Sequence, residues 1–143
     1  MEDQDALANA AAQVMWRDDN ASKWLGMKIV EVRAGYARLS MTVTQNMVNG
    51  HNLCHGGLIF TLADSTFAFA CNSHNQRAVA AGASIEFLAP AFLADVLTAE
   101  AVEQALKGRT GVYDMKVTNQ TGEVIALFRG RSATIKGLLV EDA

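Results

Sequence analysis

The stretch NGHNLCHGGLIFTLADSTFAFAC, residues 49–71, decides the fold. Its first half is rich in Asn, His and Gly, as is typical of an ordered loop, and from Gly57 to about Asn72 it reads as a helix. Ten of the sixteen residues 57–72 are apolar, so this helix must be covered by protein on nearly every side. Asp64 interrupts the apolar run, and a buried carboxylate is costly unless it is paired or used.

Strand patterns flank this helix on both sides. Before it, residues 28–44 alternate like a hairpin that turns at Ala34 and Gly35. The segment 99–107 fits either a strand or a helix. Two strands, one long helix and then antiparallel strands predict an α+β fold, with a curved antiparallel sheet wrapped around a central helix. The strand-like runs after the helix are residues 78–90, 95–106, 112–118 and 124–135.

Length and composition narrow the class of protein. The 143 residues are expected to form one domain, residues 1–143, which opens with a helical segment at about residues 3–25. A net charge of −3 without a Lys/Arg cluster argues against a nucleic-acid partner. The acidic N-terminus does not resemble a secretory signal, and no apolar run is long enough to cross a membrane. We therefore expect a cytoplasmic protein with reduced thiols.

One face of the predicted helix differs from the rest, since all its residues are small or polar. A sheet would leave this stripe open to another helix or to a ligand. Gly57 and Asp64 lie about 10 Å apart along the helix, too far to act together on one small group. Two antiparallel helices related by a two-fold axis would bring them together, which predicts a site shared between two subunits. The stripe consists of Gly57, Thr61, Asp64, Ser65 and Ala68.

Asp64 has two interpretations. It is either a structural aspartate, hydrogen-bonded to Ser65, Thr66 or a neighbouring strand, or a general base or nucleophile. In the second case burial would raise its pKa toward neutrality.

The residues before Asp64 also have a structural and a functional interpretation. His55, Gly56 and Gly57 fit an ordinary loop-to-helix junction. They equally fit an oxyanion hole, because backbone N–H groups at a helix start are unpaired and backed by the helix dipole. Asn49 is either a turn residue or a polar group that holds the carboxylate or a substrate carbonyl.

Two other chemistries are weaker candidates. His51 and His55, spaced i, i+4 with Cys54 between them, suggest zinc, but the flanking glycines argue against a helix there and a third or fourth ligand is missing. A Cys54–His55 nucleophile pair lacks a third group to orient the base. The basic residues are solvated charges or contacts to substrate phosphates: Lys107, Arg109, Arg129 and Arg131.

Residues 49–71, together with MTVT, IEFLAP, TGVYD and IALFRGRS, resemble the hotdog-fold acyl-CoA thioesterases of the phenylacetic acid degradation type. The resemblance implies a hotdog fold, a dimer paired into a homotetramer with active sites at the dimer interface, and hydrolysis of an aryl- or short-acyl-CoA thioester without a cofactor. It places Asp64 on the catalytic acid and Gly56 on the N–H donor to the thioester carbonyl. Asn49 and His55 fall on the supporting polar pair.

This chain departs from the pattern of the family at one point, and the resemblance defines the substrate only loosely. Where related enzymes have a hydroxyl that places water, this chain has Ala68, and the following strand offers only Ser84. Phenylacetyl-type substrates are expected, with Phe60, Phe67 and Phe69 either lining an aromatic pocket or forming plain core.

Two rival functions remain. A hotdog hydratase or dehydratase would need a His and an acid acting at the α- and β-carbons. A non-catalytic acyl-CoA-binding protein would be expected to carry an output module.

Overall fold

The computed structural model describes residues 2–141 of the chain. The predicted domain of 1–143 includes residues 1, 142 and 143, which lie outside that range. A single 3-10 turn at Gln45–Met47 interrupts the loop before the long helix. The helices are α1 (Glu2–Arg17), α2 (Asn20–Trp24) and α3 (Gly56–Cys71). The strands are β1 (Lys28–Arg33), β2 (Tyr36–Thr42), β3 (Gln76–Phe87), β4 (Val96–Lys107), β5 (Thr110–Thr118) and β6 (Val124–Leu138).

The six strands form one antiparallel sheet in the order β1-β2-β4-β5-β6-β3. The α+β prediction is confirmed, and the predicted helix 57–72 is correct to within one residue at each end. The first hairpin turns where predicted, with Gly35 at φ +72°, a conformation that glycine adopts without strain. The helical alternative for 99–107 is wrong, because β4 pairs with both β2 and β5 through this segment.

Helix α3 packs on the concave face of the sheet. The ring of Phe67 lies against Tyr113 and Phe128 at centroid distances of 5.6 and 6.2 Å. This approach requires Gly130 on β6, since a Cβ there would lie 2.6 Å from the Phe67 ring. Phe69 contacts Trp16 of α1. Phe67 and Phe69 are therefore core residues, not pocket residues, because both are only 1% exposed.

Strand β3 is one edge of the sheet. It pairs with β6 on one side, and no described strand pairs with its other side. Its burial pattern alternates only weakly, and most of its residues are exposed. Beside it, the predicted stripe of α3 is absent from the buried residues of that helix. The residues of the stripe are exposed or partly exposed, as are those of β3.

Within residues 2–141, no helix combines the length and the apolar character needed to cross a membrane.

Candidate active site

The loop before α3 is held by its own polar side chains. The Oδ1 atom of Asn49 accepts hydrogen bonds from the backbone N–H groups of His51 (2.9 Å) and Leu53 (3.2 Å). His55 is the N-cap of α3, and its Nδ1 accepts a hydrogen bond from the Gly57 N–H at 3.0 Å. Because Nδ1 is an acceptor, a neutral His55 carries its proton on Nε2 and can act there as a donor. Asn49 and His55 thus shape the helix start, as supporting residues would.

Gly56 is the first residue of α3 and lines a cavity of about 370 Å³. Its N–H has no partner within the helix, as holds for the first residues of any helix. The ring of Phe87 closes over this position, since a Cβ on Gly56 would lie 3.1 Å from Phe87 Cζ. Apolar groups line the rest of the cavity: Leu53 from the loop, Ile59 from α3, and residues 87–91 from the end of β3 and the segment after it. A small acyl group would meet an apolar wall and an unpaired backbone donor here.

Asp64 is half-buried on the open stripe of α3. Burial raises the pKa of its carboxyl above the ordinary value. The partners that a structural role would use are engaged elsewhere: Thr66 donates to the Leu62 carbonyl, and the Ser65 hydroxyl bonds that of Ser22. Within residues 2–141 nothing donates a hydrogen bond to the Asp64 carboxylate. It is a desolvated acid left without a structural partner.

The contact between α2 and α3 was not expected from the sequence. Asp19 caps α2 through the Ser22 N–H (3.0 Å) and also accepts from the Ser22 hydroxyl, which in turn bonds the Ser65 hydroxyl at 2.9 Å. These hydrogen bonds hold α2 against α3 at Ser65, the residue next to Asp64. Ser22 and Ser65 are 43 residues apart, and no periodic pattern connects them.

A single chain does not bring the whole predicted site together. Gly57 and Asp64 are seven residues apart on one helix, about 10 Å along its axis. Asp64 does not line the cavity at Gly56. The N–H donors and the acid are thus both available but separated within the protomer.

The alternative chemistries find little support in the geometry. Burial raises the pKa of Cys54 to about 11, which disfavours its thiolate as a nucleophile. No three His, Cys, Asp or Glu side chains in the described range are grouped as metal ligands would be.

Ser84, the hydroxyl that the sequence offered for placing water, faces away from α3 within the protomer. It pairs with Arg129 and lies beside Asp114 in a shallow cavity. Its neighbour Ile85 packs against the core, so alternation along β3 turns Ser84 to the face away from α3. Within one protomer the Ser84 hydroxyl therefore points away from Asp64.

Known proteins resemble this chain in both sequence and structure. Residues 51–126 match the thioesterase superfamily. The acyl-coenzyme A thioesterase PaaI of Escherichia coli is 46% identical over 92% of this chain and 94% of its own length. The structure of the Escherichia coli PaaI protein from the phenylacetic acid degradation operon matches with a TM-score of 0.92 at 45% identity, covering 94% of this chain and 97% of that one. A hypothetical thioesterase from Streptococcus pneumoniae, solved with coenzyme A, matches with a TM-score of 0.75 at 27% identity, covering 78% of this chain and 90% of that one. The resemblance stated from the sequence and the hotdog fold it implied are confirmed.

Proposed function

This chain belongs to the thioesterase superfamily and is a thioester hydrolase, and on that premise we propose that it cleaves arylacetyl-CoA thioesters to the free acid and coenzyme A. The observation that carries the proposal is the half-buried, unpartnered carboxylate of Asp64 on the open stripe of the helix that begins at Gly56. Relatives point the same way: one is a coenzyme A thioesterase, and another was solved with coenzyme A.

The start of α3 stabilises the developing oxyanion in this proposal. The Gly56 N–H donates to the thioester oxygen, and the positive end of the helix dipole adds to it. His55 fixes the Gly57 N–H and supports the same end of the helix. Asn49 holds the loop in place through two backbone hydrogen bonds.

Asp64 supplies the negative charge that drives the reaction. As a base it takes a proton from water while the oxygen bonds to the carbonyl carbon; as a nucleophile it forms that bond itself, and water later cleaves the anhydride. In both routes the C–S bond breaks, and coenzyme A leaves as the thiol. Both need the ionised carboxylate.

The proposed active site lies between two subunits. A two-fold axis between antiparallel α3 helices puts Asp64 of one copy near the helix start of the other. The small residues of the stripe permit that approach, and the open edge of β3 offers a second pairing surface beside it. Each dimer then has two sites, and we propose that two dimers form a homotetramer.

Substrate size follows from the cavity. About 370 Å³ lined by Phe87, Ile59 and Leu53 suits a single aryl ring better than a long acyl chain. Phenylacetyl-CoA is therefore expected to be hydrolysed faster than palmitoyl-CoA. A cytoplasmic location is part of the proposal, supported by two free cysteines.

Thiol release from a panel of acyl-CoAs tests the proposal. Phenylacetyl-CoA should give the highest kcat/KM, and Asp64→Asn should abolish turnover while the protein stays folded. Asp18→Asn is the matched control, because that side chain is 82% exposed and lies outside the site. Faster hydrolysis of palmitoyl-CoA would refute the substrate class, and retained activity in Asp64→Asn would refute the role of Asp64.

The same panel separates the rivals. A binding protein would take up phenylacetyl-CoA and release no thiol. A hydratase would add water to an enoyl-CoA, but His55 is poorly placed as its base, since Nδ1 already accepts the Gly57 N–H.

A further inference from the structure

The six phenylalanines of the chain fall into two groups. Four of them lie against another aromatic ring: Phe60, Phe67, Phe69 and Phe128. Phe87 and Phe92 have no aromatic partner within residues 2–141, and they are 52% and 51% exposed. Phe87 lines the cavity at Gly56, and Phe92 does not. The fold therefore places one half-exposed ring at the candidate active site and a second one outside it.

The backbone around Phe87 is fixed. The N–H groups of the next two residues, Leu88 and Ala89, both donate to the Ile125 carbonyl, at 2.8 and 3.2 Å. Ile85, two residues earlier in β3, packs against the core, so alternation along the strand turns the Phe87 side chain to the same face, toward α3. The ring thus stands at a defined place, although half of its surface is free to contact a ligand.

This ring lies against the residue that supplies the oxyanion donor of the proposed mechanism. A Cβ on Gly56 would lie 3.1 Å from Phe87 Cζ and 3.3 Å from Cε1, so the edge of the ring is within about 5 Å of the Gly56 Cα. A thioester oxygen bound to the Gly56 N–H at about 2.9 Å puts the carbonyl carbon of the substrate beside the same residue. The substrate and Phe87 therefore meet at Gly56.

An arylacetyl group carries its ring close to the carbonyl. One methylene separates the two, so the ring centre is about 4 Å from the carbonyl carbon, at about 1.5 Å per bond. Aromatic rings attract each other in edge-to-face or offset arrangements at centroid distances of about 4.5–7 Å. The span from Gly56 to the Phe87 ring is of the same size, so the two rings can form such a pair.

The other walls of this cavity do not distinguish aromatic from aliphatic groups. Their side chains carry no aromatic ring: they are aliphatic, apart from the thiol of Cys54 and the amide of Asn49. Aliphatic walls select by size and apolar character alone. A contact between two aromatic rings adds a favourable contribution beyond the area that it buries. Among the described residues that line the cavity, only Phe87 supplies that contact.

We infer that Phe87 is a specificity-determining residue, whose ring contacts the aryl group of the substrate and favours aromatic over aliphatic acyl groups of the same size. The inference rests on the proposed function, and it adds the residue by which an aryl ring is distinguished from a saturated one. The half of the Phe87 ring that is exposed in the protomer is the surface that the aryl group covers.

The test compares phenylacetyl-CoA with cyclohexylacetyl-CoA, which has the same carbon skeleton but a saturated ring. Phe87→Leu keeps an apolar side chain and removes the aromatic ring. We expect it to lower kcat/KM for phenylacetyl-CoA about twofold to tenfold relative to that for cyclohexylacetyl-CoA, which is the factor that one aromatic pair contributes. Phe87→Tyr should keep the wild-type ratio, because it keeps the ring. Phe92→Leu is the matched control, since the same change at an equally exposed ring outside the cavity should leave the ratio unchanged.

The outcomes separate a contact with the substrate from a structural role. An unchanged ratio in Phe87→Leu would overturn the inference. So would an equal fall of kcat/KM with both thioesters, which would indicate that the ring only packs against the protein. A ratio that changes as much in Phe92→Leu would also count against it, because the effect would then not come from the cavity.

Binding measurements distinguish this inference from the proposed function. A wild-type chain that hydrolyses neither thioester would count against the proposed function. In the Asp64→Asn background, calorimetric titration gives the Kd of both thioesters without turnover, and adding Phe87→Leu should change the ratio of the two Kd values about twofold to tenfold. The same ratio with and without the Phe87 ring, or no binding of either thioester, would overturn the role of Phe87.

Discussion

Two inactive variants should restore each other if the active site is shared between subunits. The first is Asp64→Asn, which removes the acid. The second is Gly56→Pro, which removes the N–H donor without breaking the helix. Gly56 is the first helical position, where proline is favoured, and His55 at φ −59° and ψ 132° already has the backbone that precedes proline.

The expected activities follow from simple counting. Loss of one oxyanion donor lowers kcat about 10²–10³-fold, so each parent protein should be nearly inactive. After unfolding and co-refolding at equal concentrations, half of the dimers are mixed. One of their two sites has both Gly56 and Asp64 intact, and the other has neither. Half of the dimers with one of two sites active gives about a quarter of wild-type activity per chain.

Gly56→Ala is the matched control for steric effects. Its Cβ meets the same Phe87 ring at 3.1 Å, but its N–H remains. Phe87 is 52% exposed and can move aside, so this variant should stay active. Thiol release from phenylacetyl-CoA is the assay, with mixed dimers verified by two affinity tags. Verified mixed dimers without activity would refute the shared site, because a site built within one chain cannot be restored by mixing.

Four further predictions concern stability and titration. Because burial raises the pKa of Asp64 and its ionised form is needed, kcat should fall on acidification at a higher pH than for an exposed aspartate. Since the pKa of Asp64 is raised in the folded state, its ionisation lowers the stability of the protein as the pH rises through that pKa. Asp64→Asn should therefore keep or raise Tm at pH 7. A lower Tm with full activity would restore the structural interpretation of Asp64. Gly130→Ala puts a Cβ 2.6 Å from the Phe67 ring and should lower the free energy of unfolding in urea by about 1–3 kcal/mol. Gly50→Ala is the control, because no atom lies within 4 Å of its new Cβ and no steric penalty is expected. Equal losses in the two variants would contradict the packing argument. Burial raises the pKa of Cys54 to about 11 and that of Cys71 to about 12. Both thiols should therefore react with a disulfide reagent at pH 8 only when the protein unfolds. Fast labelling of the native protein would contradict this prediction, because it would show that the thiols are accessible.

Periodicity was sufficient to predict most of the fold. In the predicted strand 112–118, Tyr113, Met115 and Val117 alternate with polar residues, and all three are buried. The small or polar stripe of α3 was also predictable, because a sheet covers the apolar faces of a helix first. The ambiguity at 99–107 arose because Ala, Glu and Gln favour helices locally, and pairing with two neighbouring strands overrides that preference.

The site was harder to predict where it depends on contacts between distant segments. Ser65 had been a possible partner for Asp64, but α2 brings Ser22 to it instead. Ser84 was a candidate for placing water, and only the core contact of its neighbour Ile85 shows that it faces away from α3 within the protomer. The contact between Phe87 and Gly56 could not be predicted from local sequence either. The two residues are 31 positions apart and meet only because the end of β3 lies beside the start of α3.

The charged residues along the open edge of β3 favour one direction of strand pairing. From Ala78 to Ile85 it has no charged side chain, so nothing there prevents pairing with another strand. Charges stand only near its two ends, with Arg77 at one and Glu86 at the other, both exposed. Two copies paired antiparallel about a midpoint between Ala81 and Gly82 bring Arg77 opposite the partner's Glu86 at both ends, whereas a parallel pair sets like charges side by side. In the dimer that we propose, this edge would therefore favour the antiparallel over the parallel arrangement.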